Sequence, residues 1–404
     1  MKSYSLFKIL LVCIAILIVD IAAFYWLQKI TQLIISEKLE SLINILFWTF
    51  TLGLISAIII LKLRLDNLNP QKKYWLVSSL FGLTVSSFLP KLIFVISITF
   101  LYFTNYIFTE EESKIIIPLS GLLSGFLPFF VILYGIFKTR YRFKVYHETI
   151  MFSELPKSFY GLKIVQISDI HLGSLNYKYS IIDKAFQKIN ELNPDFIFIT
   201  GDLVNNYAWE LKGWEKSFLA LKANKGKYAI LGNHDYGDYS DWDSEREKKE
   251  NFNSIKQFYE TINFNLLLND AEIVTQHNEK MAIIGVENWG NPPFKRYGNL
   301  KEAHELVKNI PFKILLTHDP SHWEEEVVAK TNINLTLSGH THGMQAGFQY
   351  KKYYWSPIQY KYKHWAGLYQ KGKQFLYVNR GLGWLSFPGR LGMPPEITCI
   401  TLSK

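Results

Sequence analysis

The chain has 404 residues and a formal net charge of +9 at pH 7, and 49% of its residues are hydrophobic. This length is sufficient for two structural units. Its only cysteines, Cys13 and Cys399, exclude a disulfide framework and a cysteine-based metal site. The positive charge could indicate nucleic-acid binding, but eight of the basic residues flank apolar segments, where membrane topology explains them. Nucleic acid is therefore a less favoured partner than membrane lipid.

Four apolar segments lie within residues 1–145, and each reaches the roughly 20 residues that a membrane-spanning helix requires. They span residues 6–27, 42–63, 75–103 and 115–137. The first could be a cleaved signal peptide, but it is long, lacks a clear cleavage site and precedes further spans, which favours an uncleaved helix. Dividing the third at Pro90-Lys91 would leave two spans of about 15 residues, too short to cross. We therefore predict an all-α region of four transmembrane helices.

The charges of the connecting segments predict the orientation. Basic residues follow the second and fourth segments, at Lys62, Arg64, Lys72, Lys73, Lys138, Arg140, Arg142 and Lys144, whereas the third connection is acidic at Glu110, Glu111 and Glu112. Under the positive-inside rule, both basic segments are cytoplasmic. The protein is thus expected in an inner or plasma membrane, with its N-terminus and the residues after 145 in the cytoplasm.

Two charges fall inside the predicted spans, Asp20 and Lys91. Counting about 1.5 Å per residue from the predicted cytoplasmic ends places them roughly 20 Å and 24 Å deep. Charges in the hydrocarbon core are rare and usually paired, so we expect an ion pair between the first and third helices. The alternative is that each side chain reaches the interface independently.

After residue 145, five polar motifs each follow a short apolar run typical of a buried parallel strand. The runs are residues 163–167, 195–200, 227–231, 312–316 and 333–337, and the motifs are Asp169-Ile170-His171, Gly201-Asp202, Gly232-Asn233-His234-Asp235, His318 and Gly339-His340-Thr341-His342. In an open α/β sheet, the carboxyl ends of parallel strands share one edge, so we expect these motifs to converge. An Asp-x-His or Gly-Asp pair alone is common in proteins without metal, and the Gly-Asn-His-Asp and Gly-His-Thr-His motifs are more restrictive. Five such motifs in this order indicate a metal site.

The residue types in these motifs suit a pair of metal ions. Carboxylate, imidazole and amide oxygen together favour divalent manganese, iron or zinc over magnesium or calcium. One carboxylate can bridge two cations about 3.5–4 Å apart, a spacing that clamps the attacking and leaving oxygens of a phosphoryl displacement. Asp202 is the predicted bridge.

Helical periodicity occurs between the motif strands, which predicts parallel β units with helices outside. The predicted helices span residues 180–192, 209–221, 245–262, 300–308 and 321–329. Four further strands, at residues 272–275, 281–286, 375–378 and 397–402, are expected to be antiparallel additions.

Residues 146–404, with these motifs, resemble the calcineurin-like metallophosphoesterase family. The resemblance implies an α/β/β/α domain, in which a two-sheet β sandwich is flanked by helices. It also implies hydrolysis of phosphoric esters by a metal-activated hydroxide, without a covalent enzyme intermediate.

The resemblance assigns roles to individual residues. The first metal would be held by Asp169, His171, Asp202 and His342, and the second by Asp202, Asn233, His318 and His340. His234 would stabilise the transition state or protonate the leaving oxygen, and Asp235 would orient its ring.

Two later segments are candidates for substrate contact. Residues 350–369 combine aromatic rings with Lys351, Lys352, Lys361 and Lys363, a composition that suits a membrane–water interface or a well-packed surface hairpin. Asn379, Arg380 and Arg390 are candidate phosphate contacts, because the arginine fork matches phosphate oxygens. A surface salt bridge is the alternative for each arginine.

The sequence therefore predicts a membrane-anchored dinuclear phosphoesterase. Its substrate would be a phosphorylated molecule, lipid-linked or nucleotide-linked, cleaved by phosphodiesterase or pyrophosphatase chemistry. The alternatives are a membrane sensor or transporter whose soluble domain only binds a phosphorylated ligand, and a metal-dependent nuclease. No protein partner is predicted.

Overall fold

The computed structural model describes residues 5–33, 36–105, 108–175, 179–350 and 353–404. The chain forms two compact units, one of residues up to Phe137 together with Ser386–Gly389, and the other of Lys138–Leu385 and Arg390–Lys404. The boundary predicted between residues 145 and 146 falls inside the first strand of the second unit, β1 (Lys144–Met151). Lys351 and Lys352 lie outside the described residues.

The first unit contains four helices, each long and apolar enough to cross a membrane. They are α1 (Leu6–Thr31), α2 (Glu37–Arg64), α3 (Pro70–Phe103) and α4 (Glu110–Phe137). The Ser5 and Asn69 side chains accept hydrogen bonds from the first turns of α1 and α3, where the backbone N–H groups have no partner within the helix. Because α3 continues through Pro90, the third apolar segment is one helix, as predicted.

The predicted ion pair inside the helical unit is present. Lys91 Nζ on α3 lies 2.8 Å from Asp20 Oδ2 on α1, and the Asp20 side chain is only 1% exposed. The Thr51 hydroxyl on α2 donates to the same carboxylate oxygen, and the Phe47 ring lies 4.6 Å from the ammonium. One buried carboxylate therefore joins three helices, which offsets the cost of placing charge in hydrocarbon.

The segment Ser386–Gly389 packs on α3, although it lies near the end of the chain. Ser78 Oγ donates to the Ser386 carbonyl at 2.7 Å, and the Phe81 and Phe387 rings meet edge to face at 6.4 Å. A Cβ atom at Gly82 would lie 2.7 Å from Pro388 Cγ, so this close approach requires glycine. The sequence contains no signal for this return.

The second unit is built on two six-stranded sheets. The first has the order β1, β14 (Glu396–Ser403), β2 (Lys163–Ile167), β3 (Phe196–Thr200), β4 (Gly226–Ile230) and β5 (Asn265–Leu266). Among the described residues of this sheet, β14 and β2 form the only antiparallel pairing. The second has the order β12 (Gly367–Lys371), β13 (Gln374–Val378), β9 (Leu335–Ser338), β8 (Phe312–Leu316), β7 (Glu279–Gly285) and β6 (Asp270–Gln276).

The two sheets pack face to face, and helices cover their outer faces. Phe198 of the first sheet and Ile314 of the second belong to the same buried cluster. Helices α5 (Tyr179–Glu191), α6 (Glu215–Leu219) and α7 (Glu245–Thr261) cover the first sheet, and α8 (Leu300–Glu305) covers the second. The predicted two-sheet sandwich flanked by helices is confirmed.

Several elements differ from the prediction. The helix expected at residues 209–221 is interrupted, because Gly213 adopts φ 85° and only Glu215–Leu219 is α-helical. The helix expected at 321–329 is a single π-helical turn, Trp323–Val327. Strands β7 and β13 are antiparallel only to their outer neighbours and run parallel to β8 and β9. Strands β1, β5 and β12 were not predicted.

Candidate metal centre

The polar motifs follow the carboxyl ends of β2, β3, β4, β8 and β9, where the backbone turns sharply. Asp169, His171, Asp202, His340 and His342 all have left-handed φ values, between 49° and 72°. Residues other than glycine rarely adopt this conformation, and it concentrates at functional sites where the surrounding structure enforces it. Five of the seven predicted ligands thus lie on strained turns that aim their side chains at one place.

Glycines in the motifs permit the close approach of these turns. A Cβ atom at Gly339 would collide with Ser168 and Asp169, and one at Gly201 would lie 2.6 Å from the Gly232 nitrogen. Gly201 also has φ 92°, which favours glycine. The glycines therefore allow the turns to pack closely, and Gly201 also allows an unusual backbone conformation.

Asp169, His171 and His342 form a first buried group whose ligand atoms lie within 4.8 Å of one another. His342 Nε2 lies 3.2 Å from Asp169 Oδ1 and 3.1 Å from His171 Nε2. All three belong to the ligand set predicted for the first metal, so that set converges as expected.

Asp169, Asp202 and His318 form a second such group. His318 Nε2 lies 3.2 Å from Asp202 Oδ2 and 3.9 Å from Asp169 Oδ1. The same Asp202 oxygen lies 3.6 Å from His171 Nε2 in the first group. Asp202 of the second group therefore also lies close to a histidine of the first, as a bridging carboxylate would, and Asp169 belongs to both groups.

The other two predicted ligands of the second metal face each other. His340 Nδ1 lies 2.9 Å from Asn233 Oδ1, and the His340 N–H donates to Asp169. Two tyrosines hold these side chains: Tyr239 OH accepts from Asn233 Nδ2 at 3.0 Å, and Tyr362 OH lies 2.8 Å from His340 Nε2. Sequence reasoning missed both tyrosines, although Tyr362 lies in the aromatic segment.

The ring nitrogens of the candidate histidine ligands are suited to binding a cation. His318 Nδ1 lies 2.7 Å from the Thr200 carbonyl, which can only accept, so Nδ1 donates and Nε2 is the nitrogen left to bind a metal. That buried Nε2 has no hydrogen-bond partner among the described residues. Burial lowers the pKa of His171 to about 3 and of His340 to about 4, which favours the neutral imidazole that binds metal.

The electrostatics favour positive charge between Asp202 and His318. Burial alone would lower the pKa of His318, but the Asp202 charge outweighs it and raises the pKa to about 10. Burial likewise opposes ionisation of Asp202, but His318 and His234 hold the pKa of its carboxyl well below the ordinary value. A divalent cation would supply the same positive charge, so these residues fit a metal.

His234 borders the metal ligands and is partly exposed, as a substrate contact must be. Its ring lies 5.0 Å from that of His171, edge to face. Its Nδ1 lies 2.7 Å from the Asn205 carbonyl and must donate to it, which leaves Nε2 to face solvent or substrate. The ring is therefore oriented by a backbone carbonyl, for which the sequence contains no side-chain signal.

The orienting role predicted for Asp235 is wrong. Its carboxylate is buried and accepts backbone N–H groups of Gly232, Asp202, Leu203 and Val204 at 2.8–3.2 Å. These bonds fasten the turn after β4 to the turn after β3. Asp235 thus positions the backbone that carries Asp202 and does not contact the His234 ring.

Comparison with known proteins identifies the family. The family model described as "Calcineurin-like phosphoesterase" matches residues 162–344, which include all seven candidate ligands. The chain is 32% identical over 266 residues to the Bacillus subtilis protein named "Uncharacterized metallophosphoesterase YkuE", covering 64% of this chain and 84% of that protein. The chain belongs to the calcineurin-like phosphoesterases. It is therefore an enzyme of the metallophosphoesterase class.

Other relatives of this phosphoesterase extend the comparison. The family model "Probable Calcineurin-like phosphoesterase, transmembrane domain" matches residues 5–140. The "UDP-2,3-diacylglucosamine pyrophosphatase LpxG" of Chlamydia trachomatis is 30% identical, with 60% of this chain and 85% of that protein covered. The "Transmembrane protein with metallophosphoesterase domain" of Danio rerio is 26% identical, with 67% of this chain but only 60% of that protein covered. The phosphoesterase is thus a membrane protein.

The predicted substrate contacts Asn379, Arg380 and Arg390 are buried among protein groups. Arg380 pairs with Glu396, and Asn379 Nδ2 donates to a hydroxyl at 2.9 Å. Arg390 donates to three carbonyl oxygens of the loop after β13. Direct contact with a substrate phosphate would require these bonds to break, so the geometry argues for a supporting role. The loop they support includes Gly381, whose Cβ position lies 2.9 Å from Asp169.

The aromatic segment predicted at residues 350–369 divides into two parts. One belongs to a separate hairpin, β10 (Phe348–Tyr350) and β11 (Tyr353–Trp355), whose Phe348 and Tyr353 rings are 54% and 65% exposed. The other is a turn in which Tyr362 is buried with Trp365 and Met393. The first part is a surface hairpin with exposed rings, and the second contacts the candidate metal centre of the phosphoesterase.

Proposed function

We propose that this membrane phosphoesterase uses two divalent metal ions to hydrolyse a pyrophosphate or phosphodiester bond in a lipid-linked or nucleotide-linked substrate. The observation that carries the proposal is the convergence of two buried carboxylate–imidazole groups that share Asp169, with Asp202 Oδ2 of the second group 3.6 Å from His171 of the first and 3.2 Å from His318. The donor set suits manganese, iron or zinc.

In this proposal, the metal ions would polarise a phosphoryl oxygen and lower the pKa of water, which is the chemistry that such ions supply when bound. The first would be held by Asp169, His171, Asp202 and His342. The second would be held by Asp202, Asn233, His318 and His340. Tyr362 and the Thr200 carbonyl would fix the rings of His340 and His318 in the required orientation.

His234 would act on the leaving group. Its Nδ1–H is committed to the Asn205 carbonyl, so its protonated ring would present Nε2–H to the bridging or ester oxygen. Donation of that proton would neutralise the charge that develops as the P–O bond breaks. The backbone N–H of His234 donates to Asp202 Oδ1 at 2.9 Å, which ties the ring's position to the proposed bridge.

Three observations support a lipid-linked substrate. Four membrane-spanning helices keep the protein in the bilayer, and the name of a relative describes a pyrophosphatase that acts on a diacylated sugar nucleotide. The exposed rings of Phe348 and Tyr353 suit the headgroup region of a bilayer, where aromatic side chains concentrate.

The substrate class can be tested with the full-length protein in nanodiscs, loaded with manganese or zinc. The assay compares p-nitrophenyl phosphate, bis(p-nitrophenyl) phosphate, UDP-2,3-diacylglucosamine and single-stranded RNA. We expect the highest kcat/KM for the lipid pyrophosphate. If RNA is the best substrate and its cleavage falls steeply with salt, the protein is a nuclease instead.

We further propose that the catalytic unit faces the cytoplasm, because basic residues lie at the end of α2, at the start of α3 and after α4. Reporter domains inserted after Lys144 and within residues 109–113 should report the cytoplasmic and the opposite side respectively. An external signal from the reporter after Lys144 would overturn this orientation and move the substrate search to the cell envelope.

A further inference from the structure

An exposed lysine, Lys361, lies beside the ligands assigned to the second metal. Its ammonium is 5.3 Å from the centre of the Phe294 ring and 5.4 Å from that of Tyr362. Both rings contact His340, with centroids 4.9 Å and 5.4 Å from its imidazole. One aromatic ring therefore separates the ammonium from a candidate metal ligand.

The backbone of Lys361 is fixed relative to the centre. The N–H groups of Lys361 and Tyr362 both donate to the Ile358 carbonyl at 2.9 Å, and the next side chain, Tyr362, is buried and bonded to His340. The lysine stem is flexible, but its starting point is not. It can thus reach a group bound at the metal centre without a rearrangement of the loop.

The charge of Lys361 is available for a ligand. The neighbouring Lys363 and Lys371 both pair with Glu324, and Lys295 pairs with Asp238. Within the part of the chain that the structure describes, no carboxylate lies within ion-pair distance of Lys361. Two aromatic faces hold the ammonium, and a phosphate could replace them, because lysine binds phosphate as a mobile point charge.

We propose that Lys361 binds the second phosphate of a pyrophosphate substrate, the one that is not attacked. This inference rests on the proposed function and narrows its substrate class. The attacked phosphate would lie at the metal ligands, and the second, one bridging oxygen away, would carry its negative charge towards His340, Phe294 and Lys361. An ester with a single phosphorus has no group for Lys361 to bind, so this residue determines specificity.

The test compares Lys361→Gln with the wild type and with Lys371→Gln, a matched control at an exposed lysine that already pairs with Glu324. We expect Lys361→Gln to raise KM for UDP-2,3-diacylglucosamine by about tenfold or more, the scale of one lost charged hydrogen bond. Its kcat/KM for bis(p-nitrophenyl) phosphate, and both values in the control, should stay unchanged. Equal losses on both substrates, or no loss on either, would overturn the proposal.

A binding measurement separates this inference from the proposed function. Calorimetry with the metal-loaded full-length protein compares methylenediphosphonate, which is not hydrolysed, with orthophosphate. Lys361→Gln should weaken binding of the diphosphonate about tenfold and leave orthophosphate binding unchanged. If the wild type cleaves only single-phosphorus esters, the narrowing of the proposed function to pyrophosphate substrates fails. Equal diphosphonate affinity in wild type and variant would refute the role of Lys361 whatever the enzyme cleaves.

Discussion

Replacing Asp202 by asparagine is expected to remove most of the hydrolytic activity and to lower the bound metal from two ions towards one per chain. Asp202 Oδ2 lies 3.6 Å from His171 Nε2 and 3.2 Å from His318 Nε2, so it faces both candidate metal positions. An amide is neutral and cannot bridge two cations as a carboxylate does. Elemental analysis of the purified variant, alongside its kcat, measures both effects.

Two further variants test whether the expected effect is specific to Asp202. Asp183→Asn is the same chemical change at an exposed position on α5, and it should keep both metals and full activity. Asp169→Asn tests the other shared carboxylate, which lies 3.2 Å from His342 and 3.9 Å from His318. Retention of two ions by the Asp202 variant, with loss in the Asp169 variant, would transfer the bridging role to Asp169.

Replacing His234 by alanine should reduce kcat by about 10²–10⁴, the usual contribution of a general acid or base, while both metals stay bound. Its ring contacts His171 but is held by the Asn205 carbonyl, so its removal leaves the ligands in place. The loss should be greater for an alkyl phosphodiester than for a p-nitrophenyl ester, whose leaving oxygen needs little protonation. Kinetics with this pair of substrates measures the difference.

His147→Ala provides the control, because His147 is an exposed histidine on β1 that lies outside the motifs. It should leave kcat and metal content unchanged. An equal loss on both leaving groups in the His234 variant would favour electrostatic stabilisation over proton donation. Loss of metal from that variant would show that His234 is a ligand and contradict the assignment.

The convergence of the ligands could be predicted because each one follows a buried apolar run. Ile197 and Ile314 belong to strands that no solvent reaches, and polar residues immediately after such strands collect at one edge. The transmembrane helices and the contact between Asp20 and Lys91 followed equally from apolar length and helical rise. In these cases the prediction depends on local sequence or on the constant rise per residue of a helix.

The errors concern partners that are distant along the chain. Asp235 follows His234 directly, yet its carboxylate binds backbone groups of the turn after β3. Arg380 belongs to a glycine-containing segment that suits phosphate, but a buried carboxylate in β14 takes its guanidinium. The direction of β7 depends on which neighbour is considered, since it is antiparallel to β6 and parallel to β8. Residue type alone does not specify such pairings.

The return of Ser386–Gly389 to the helical unit has a consequence for dissecting the protein. A fragment that begins at Lys138 would retain Phe387 and Pro388 but lose the α3 surface formed by Phe81 and Gly82. This segment immediately precedes Arg390, which donates to the carbonyl of Gly381 in the loop beside Asp169. Removal of the membrane helices would therefore expose Phe387 and Pro388, which are adjacent in sequence to Arg390. The two units have separate folds, but the first unit includes a segment from the C-terminal part of the chain, so the units cannot be separated by one cut.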